Sequence, residues 1–519
     1  MRPIISLIFS KSIFLLQRGM IRNPTISAGS GQSNSGRSRC FCLFLAALSL
    51  SAFAGCAAVG PNYSRPETRA PAGWQTPFLG GLTGTPLAPE TLSQWWTTLN
   101  DPVLSGLIER AVKQNLDLAE ARARIREARA TRGISDAGFF PTLDGSGSAT
   151  KSRGSENSGS GRESKLFAIG FDAGWEVDVF GGVRRSVEAA EADLAAAGED
   201  LHDVLVTLVA EIALNYVDCR TYQGRLAVAE ANISTQEESY DLTRFRFEAG
   251  VSDELAVHQA RYNLESSRSQ LPALRTGLEA AKNRLAILLG MAPGTLHPEL
   301  SERKAIPVIP VSVAVGVPAE TLRQRPDVRR AERRLAAQSA RIGVATAELY
   351  PKFRLSGSIG LESISTGNLI EYGSRSWRIG PGVSWNLFDA GAVRRNIEVR
   401  TALQEQALIQ YEASILGALE EVENALVAYG EEQLRRESLV SAAESARISM
   451  QLARDQYTAG LVDFSNVLDA QRSLLNFEDN LAASDGVVTA NLVRLYKALG
   501  GGWPGYYPEA ILTQTDTAK

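Results

Sequence analysis

The sequence predicts a mainly α-helical chain that also carries membrane-type β-strands, arranged as two tandem copies of one structural unit. Three observations lead to this fold class. Residues recur at a constant offset of 210, short stretches alternate between apolar and polar residues, and each copy has a long proline-free stretch typical of a helix, Val183 to Ala249 and Val393 to Ala459. The length of 519 residues would otherwise suggest about three globular domains.

The repeat needs no insertion or deletion, and it defines two units, residues 101–290 and 311–500. The recurring positions include Asp117 and Asp327, Pro141 and Pro351, Trp175 and Trp385, Gly181 and Gly391, Arg185 and Arg395, Gly250 and Gly460, and Gly290 and Gly500. Chance agreement of so many turn-forming and aromatic residues is a poor explanation. Residues 291–310 then form a linker, and residues 501–519 form a C-terminal tail.

Each unit starts with a segment predicted to be helical, Leu104 to Ala137 in the first copy and Val313 to Ala347 in the second. Both segments end near an aromatic residue followed by proline, and the residue before proline avoids the α region. Two alternating stretches follow in each copy, and we interpret them as strands: Thr142 to Thr150, Phe167 to Val179, Phe353 to Leu361 and Trp377 to Leu387. The polar loop 151–164 joins the first pair.

The predicted strands have apolar and aromatic residues on one face, such as Phe171 and Trp175, and small or charged residues on the other, such as Asp172. Strands of about 10 residues with this pattern are typical of transmembrane β-barrels, although a half-buried strand of a soluble sandwich alternates too. Four strands cannot close a barrel, and lipid does not tolerate an open sheet edge. Two chains would give eight strands with a filled interior, whereas three give twelve and room for a lumen.

At 1.5 Å per residue, each long helical stretch spans about 100 Å. Apolar residues in the second stretch follow the 4-3-4-3 spacing of a coiled coil: Ile415, Leu419, Val422, Leu426 and Tyr429. Glycine turns at Gly250 and Gly460 end the two stretches, and return helices follow, Glu254 to Leu289 and Phe464 to Leu499. Pro272 is expected to bend the first of them. In each copy the two shorter helices, stacked end to end, match the long one, so three chains supply twelve helical columns.

The N-terminus has the layout of a secretory signal, residues 1–55. It contains six basic residues and no acidic ones, and then an apolar run shorter than the roughly 20 residues that a membrane span needs. The run ends in Phe53-Ala54-Gly55-Cys56, which resembles the lipobox of bacterial lipoproteins except that Phe53 replaces the usual Leu. The resemblance implies that Cys56 carries N-palmitoyl and S-diacylglycerol groups, that residues 56–100 are a lipidated tether and equatorial segment, and that Ala57 favours the outer membrane. An ordinary cleavage site beside an incidental cysteine is the alternative.

Several motifs together resemble the outer membrane efflux proteins, the TolC-like family, in its lipoprotein branch with OprM and NodT. They are Cys56 to Pro66, Trp95-Trp96, Asp101-Pro102, Arg325-Pro326-Asp327, Tyr457 with Gly460, and Val467-Leu468-Asp469-Ala470-Gln471. The resemblance implies a homotrimer in the outer membrane of a Gram-negative bacterium, with a 12-stranded β-barrel continuing into a 12-helix periplasmic α-barrel. It further implies a periplasmic adaptor, an inner-membrane pump of the RND type, and small-molecule export of drugs, toxic compounds or metals.

The resemblance also assigns candidate site residues. The aperture acid is Asp469, preceded by Asn466 and Ser465 where the family often has a second acid or a bulky aliphatic residue, so only Asp469 is expected to act there. An exposed carboxylate favoured by the helix dipole is the alternative. The adaptor is expected to contact both glycine turns: Gly250, Val251, Ser252, Gly460, Leu461 and Val462.

Other functional classes lack support in the sequence. Four cysteines and three widely separated histidines give no metal-ligand spacing, and a net charge of −4 argues against a nucleic-acid binder. The sequence has no nucleophile elbow, P-loop or HExxH motif. We therefore expect neither an enzyme nor a cofactor. The remaining alternatives are an adaptor-independent outer membrane porin, a type I protein secretion duct and a lipid-anchored coiled-coil scaffold.

Overall fold

The computed structural model describes residues 58–67, 71–85, 88–159, 161–307 and 313–503, all within one unit of the chain. The predicted signal and Cys56 lie outside the described residues, as do parts of the predicted linker and tail. The described helices are α1 (Pro89–Ser93), α2 (Pro102–Gln114), α3 (Leu116–Ala137), α4 (Gly182–Glu248), α5 (Glu254–Leu288), α6 (Pro318–Gln324), α7 (Pro326–Ala347), α8 (Ala392–Thr458) and α9 (Phe464–Ala498). The described strands are β1 (Leu82–Thr83), β2 (Thr142–Arg153), β3 (Glu163–Val177), β4 (Val313–Ala314), β5 (Lys352–Ser363) and β6 (Arg375–Ser384).

The secondary structure reproduces the sequence repeat. Adding 210 to the bounds of α3, α4 and α5 gives the bounds of α7, α8 and α9, and the same shift carries β2 onto β5. Both long helices contain 67 residues and both return helices 35. The prediction of two copies of one structural unit is therefore confirmed at the level of single residues.

The prediction that one continuous helical segment precedes the strands in each copy was wrong. Leu104 to Ala137 is two helices, because Asn115 adopts an extended conformation (φ −62°, ψ 137°) and caps α3 by accepting a hydrogen bond from the Leu118 amide at 2.9 Å. Val313 to Ala347 begins with β4, which pairs in parallel with β1, and continues as α6 and α7. The first strand pair also extends further than predicted, so residues 154–162 replace 151–164 as its loop. Helix α5 continues through Pro272.

Four strands form one antiparallel sheet in the order β2-β3-β5-β6. Large apolar side chains on one face are exposed, including Ile169 (55%), Phe171 (58%) and Trp377 (77%). Polar contacts lie on the opposite face, for example Ser146 Oγ to Asp172 Oδ2 at 3.0 Å. Within the described chain, β2 and β6 each pair along one side only, so both outer strands of the sheet are open edges.

The helices form a wall of columns. The long helix α4 packs against α3 and α5 on one side and against α7 and α9 on the other, and α8 packs against α7 and α9. In each copy the two short helices thus pack along the same long helix, α3 and α5 along α4, and α7 and α9 along α8 as well as α4. The predicted apolar seam is buried, with Leu205 and Ile212 fully covered on α4 and Val422 and Leu426 covered on α8.

The hydrophobic cluster with the most members joins residues 82–125 to the middle of α4 and α8 and to the last turns of α5 and α9, a level that we call the equator. Trp95 and Trp96 are almost completely buried there, and Trp95 stacks on Tyr496 with ring centroids 5.2 Å apart. Tyr216 donates a hydrogen bond to Asp101 Oδ2 at 2.6 Å. The aromatic and Asp-Pro motifs seen in the sequence thus hold the equatorial segment against α4 and α9.

The starts of α3 and α7 are fastened by residues 210 positions apart. Asn115 Nδ2 donates to the Leu288 carbonyl at 2.9 Å, and Arg325 Nη1 donates to the Ala498 carbonyl at 2.7 Å. Arg325 also forms a bidentate pair with Asp327 (3.0 and 2.6 Å). Burial alone would raise the pKa of the Asp327 carboxyl, but the guanidinium of Arg325 outweighs that effect and holds the pKa below its ordinary value.

Candidate functional site

The two helical hairpins end in the same backbone turn at the far end of the wall from the sheet. Gly250 and Gly460 have φ values of 75° and 74°, a left-handed conformation that glycine adopts without a side-chain clash. In each turn the following amide bonds back into the long helix, Val251 N to Arg246 O and Leu461 N to Gln456 O, both at 2.9 Å. These are Schellman-type ends, which terminate a helix sharply.

The turns expose apolar side chains to solvent. Val251 is 64% exposed and Leu461 is 75% exposed. Of the six predicted adaptor contacts, Gly250, Val251, Gly460 and Leu461 are exposed, whereas Ser252 and Val462 are half-buried. We call this surface, residues 250–252 and 460–462, the tip surface.

A small apolar cluster joins the two hairpins directly behind the tip surface. Ala256 and Ala260 of α5 pack with Tyr457, Phe464, Val467 and Leu468 of the second hairpin. Arg246 of α4 crosses between the hairpins: its Nη1 donates to the Tyr457 carbonyl at 3.1 Å, and its guanidinium lies 4.6 Å from the Tyr457 ring centre. These contacts therefore hold the two hairpins together next to their glycine turns.

The three predicted aperture residues share one exposed face of α9. Ser465, Asn466 and Asp469 are exposed, while Val467 and Leu468 between them are buried. The Asp469 side chain is 80% exposed, and its Oδ1 lies 3.9 Å from Arg472 Nη1. Its negative charge therefore faces open space with only a weak ion pair beside it.

Sequence reasoning missed Arg472, which connects the two return helices. Its Nη2 donates to Tyr262 Oη at 2.6 Å and its Nε donates to Asn263 Oδ1 at 3.1 Å. Tyr262 and Arg472 are 210 positions apart, so they occupy equivalent places in the two copies. The repeat offset marks the two positions as equivalent, but only the packing of the two hairpins brings them into contact.

Above the tips, polar side chains occupy the interface between α4 and α9. Gln471 Nε2 donates to Ser239 Oγ at 2.7 Å. Gln236 is 3% exposed, and within the described residues neither its Nε2 nor its Oε1 has a hydrogen-bond partner. A buried amide without a hydrogen-bond partner lowers the free energy of unfolding. Gln236 therefore weakens the interface between α4 and α9 next to the tips.

At the other end of the wall, the described N-terminal segment is fastened where the sheet meets the helices. Val59 N donates to the Phe180 carbonyl at 3.0 Å, and Arg185 Nη2 donates to Asn62 Oδ1 at 2.7 Å. Gly60 lies so close to Gly343 that a Cβ atom there would come within 2.5 Å of the Gly343 Cα atom. The Gly60-Pro61-Asn62 motif is therefore explained by close packing against α4 and α7.

Farther along, the same segment crosses the second long helix. Both Glu423 carboxylate oxygens accept hydrogen bonds, from Gln75 N at 2.7 Å and from Thr76 N and Oγ1 at 3.0 and 2.5 Å. Burial alone would raise the pKa of Glu423, but these hydrogen bonds outweigh it and lower the pKa.

In the described ranges, every helix falls short of the length and apolar character that a membrane span requires. No cluster of three or more His, Cys, Asp or Glu side chains suited to a metal ion lies in those ranges. Cys219 is buried on α4 as a free thiol, and burial raises its pKa.

A sheet with an exposed apolar face, joined to a wall of long helices, is typical of the channels of the bacterial outer membrane. Comparison with known proteins supports this class. A family model described as outer membrane efflux protein matches residues 107–291 and 317–501. The chain belongs to the outer membrane efflux protein family.

Relatives cover nearly the whole chain. Nodulation protein T of Rhizobium leguminosarum bv. trifolii is 34% identical over 462 residues, which is 86% of this chain and 95% of the relative. The cation efflux system protein CusC of Escherichia coli O6:H1 is 31% identical over 469 residues, covering 89% and 98% of the two chains. The solved outer-membrane channel OprN aligns with a TM-score of 0.81 and 36% identity over 86% of this chain and all of that one.

The predictions of fold class, function, partners and localisation are confirmed. The chain is one protomer of a homotrimeric channel of the Gram-negative outer membrane, and it works with a periplasmic adaptor and an inner-membrane pump. Three copies of the four-stranded sheet supply the twelve strands of the barrel, and the helical wall forms the periplasmic duct. The relatives are efflux channels and not enzymes.

Proposed function

We propose that this channel discharges small molecules that an adaptor-coupled pump delivers at the tip surface, and that it performs no chemistry on them. The observation that carries the proposal is the paired glycine turns: both hairpins end alike, and both present exposed apolar side chains at the end of a duct about 100 Å long. An adaptor that packs against both turns would cover these two apolar side chains. A passive porin would have no use for a duct of that length.

Crosslinking from engineered cysteines tests the adaptor contact. Cys219 is buried and Cys56 is acylated in this proposal, so Val251→Cys or Leu461→Cys would introduce the reactive thiol. The matched control is Val399→Cys, which is 55% exposed on α8 near the sheet. We expect a periplasmic adaptor, identified by mass spectrometry, to be crosslinked from the two tip positions and not from Val399. Equal yields from all three positions, or none, would favour the adaptor-independent porin.

We also propose that Asp469 is the aperture acid. Three copies around the channel axis would form a ring of carboxylates that attracts cations and resists tight closure. The support is its 80% exposure on the open face of α9, three residues from Arg472. In planar bilayers, Asp469→Ala should lower cation selectivity and cation block. Glu444→Ala, which removes a carboxylate that is 62% exposed higher on α8, should not. Unchanged conductance, selectivity and block in Asp469→Ala would exclude this role.

The proposed lipid anchor at Cys56 is supported by the position of Val59. The Val59 amide is bonded to Phe180, two residues before α4 and just beyond β3. Three residues span at most about 10 Å, so Cys56 would lie near the periplasmic side of the membrane, where acyl chains can insert. Cys56→Ser should lose metabolic palmitate label, and Cys219→Ser should keep it. Label retained in Cys56→Ser would refute the assignment.

The cargo is proposed to be chosen by the pump and not by this chain. Relatives with similar identity carry different names, a cation efflux protein at 31% and a solvent efflux pump outer membrane protein of Pseudomonas putida at 32%. Deleting the gene and screening drugs, bile salts, metals and dyes for hypersensitivity would identify the cargo. Restoring each hypersensitivity with a relative from another pump system would support selection by the pump, and failure to restore it would place selectivity in the channel.

A further inference from the structure

Two lysines lie directly opposite each other on the membrane sheet, near the end farthest from the helices. Lys151 of β2 and Lys165 of β3 are register partners, and like charges directly opposite destabilise a strand pair. Lys151 Nζ lies 2.9 Å from Glu163 Oε2. Within the described residues Lys165 has no ion-pair partner, so one of the two positive charges is uncompensated.

The alternation of the strands places both lysines on the lipid face. The neighbouring pair Ser152 and Ser164 is hydrogen-bonded, Oγ to Oγ at 2.9 Å, on the opposite, polar face. Residues at even spacing from Lys165 along β3 include Phe167 and Ile169, which belong to the exposed apolar face. The lysines therefore continue the apolar face beyond its last aromatic residue.

The length of the apolar face sets the height of the lysines in the membrane. From Val177 to Phe167 the strand advances ten residues, which is about 33 Å along the strand and about 25 Å along the membrane normal at a tilt of about 40°. This matches the apolar band of an outer-membrane barrel. Lys165 is the next position on this face, so it lies at the headgroup level of the outer leaflet, on the side of loop 154–162.

We propose that Lys151 and Lys165 bind the phosphate groups of lipid A, the phosphorylated glycolipid of the outer leaflet, at one site per protomer. An ammonium group binds phosphate as a point charge, and a phosphate between the two side chains would relieve their repulsion. The acyl chains would lie against Phe167 and Ile169 below. The proposal rests on the placement of the sheet in the outer membrane and not on the aperture or the adaptor contacts.

Native mass spectrometry of the purified trimer tests the proposal with three probes: bisphosphorylated lipid A, lipid A without phosphates, and phosphatidylglycerol. Each basic residue near a membrane surface strengthens the binding of anionic lipid about fivefold. The double variant Lys151→Ala, Lys165→Ala should therefore bind bisphosphorylated lipid A at least about tenfold more weakly. The control Lys352→Ala, on the helix side of β5 where it pairs with Glu348 at 2.7 Å, should bind as tightly as the wild type.

We first check that the double variant and Lys352→Ala both remain trimeric. If the double variant does not, the single variants Lys151→Gln and Lys165→Gln are measured in its place. Stronger binding of the phosphorylated probe than of the other two, lost in the double variant, supports the site. Equal binding of lipid A with and without phosphates, equal binding of phosphatidylglycerol, or unchanged affinity in the double variant would each overturn it.

Discussion

Arg325 is the side chain whose removal we expect to weaken the equatorial packing most. Its side chain is 8% exposed, and it links the start of α7 to the last carbonyl of α9 through Ala498 and to Asp327. The chain contains its own comparison, because Asn115 at the equivalent place in the first copy holds the Leu288 carbonyl with a neutral amide. Arg325→Met and Asn115→Ala therefore remove equivalent contacts that differ in charge.

The magnitudes follow from what each substitution leaves behind. Arg325→Met leaves the Ala498 carbonyl unpaired and removes the cation beside Asp327, which keeps only the hydrogen bond from the Val328 amide at 2.9 Å. The substitution also frees Glu421, which is 61% exposed and adds little to the cost. Breaking a fully buried pair costs about 3–5 kcal/mol. Asp327 is 27% exposed, so we expect the lower end, about 3 kcal/mol. Asn115→Ala leaves one buried carbonyl unpaired and removes a helix cap, which together cost about 2 kcal/mol.

The two losses should differ in their dependence on pH. The pKa of Asp327 is lowered in the folded protein, so its contribution is fully present above the ordinary carboxyl pKa of about 4 and is lost as the pH falls through the lowered value. The destabilisation by Arg325→Met should therefore shrink at pH 3, since protonated Asp327 no longer needs a cation. The cost of Asn115→Ala should stay constant, because neither the amide nor the carbonyl titrates.

Hydrogen exchange measures both effects locally. At pH 7, amide protection in the first turns of α7 should fall by about two orders of magnitude in Arg325→Met, whereas protection in α3 should fall by about thirtyfold in Asn115→Ala. Repeating the comparison as protection factors at pH 3 gives the pH dependence. An Arg325→Met cost that is unchanged between pH 7 and pH 3, or smaller than that of Asn115→Ala at pH 7, would refute the role assigned to the ion pair.

Three further perturbations address the tips and the N-terminal segment. Gln236→Met should raise the stability of the α4–α9 interface by about 1–2 kcal/mol because it removes a buried unpaired amide, and unchanged or faster hydrogen exchange there would contradict this. Asp253 caps α5 with its side chain, whereas Asp463 does not cap α9. Asp253→Ala should therefore cost about 1 kcal/mol of local stability at the start of α5, and Asp463→Ala should cost clearly less at the start of α9. Equal losses of protection from hydrogen exchange in the two variants would be inconsistent with this difference in capping. Glu423 has a lowered pKa, so its hold on Thr76 should weaken as the pH falls below about 4, and limited proteolysis of residues 71–85 should become pH-independent in Glu423→Gln.

The long elements could be predicted closely from sequence because their signals are local and periodic. The bounds of α4 and α8 were predicted to within one residue, since a proline-free apolar periodicity and a glycine in the left-handed region mark a helix and its end without reference to distant residues. The strands were recognised by alternation, but their ends were not, because ladder pairing with a neighbouring strand decides where a strand stops.

Contacts between distant positions could not be read in this way. Asn115 caps α3 locally, but its bond to the Leu288 carbonyl, 173 residues away, appears only in the fold, and β4 exists because Val313 pairs with Leu82. Arg472 is unremarkable as one arginine on an exposed helix face until the hairpins place Tyr262 beside it.

The sequence by itself determined the repeat, the helical and strand periods, the need for three copies to close a barrel, and the family. Only the tertiary structure decided which side chains hold the parts together: Arg325 at the equator, Arg246 and Arg472 at the tips, and Glu423 on the N-terminal segment. The physical reason is the separation along the chain over which each kind of interaction acts. Periodicity and turn chemistry act between neighbours in the chain, whereas an ion pair or a buried hydrogen bond is specified only when packing brings two remote positions within about 3 Å.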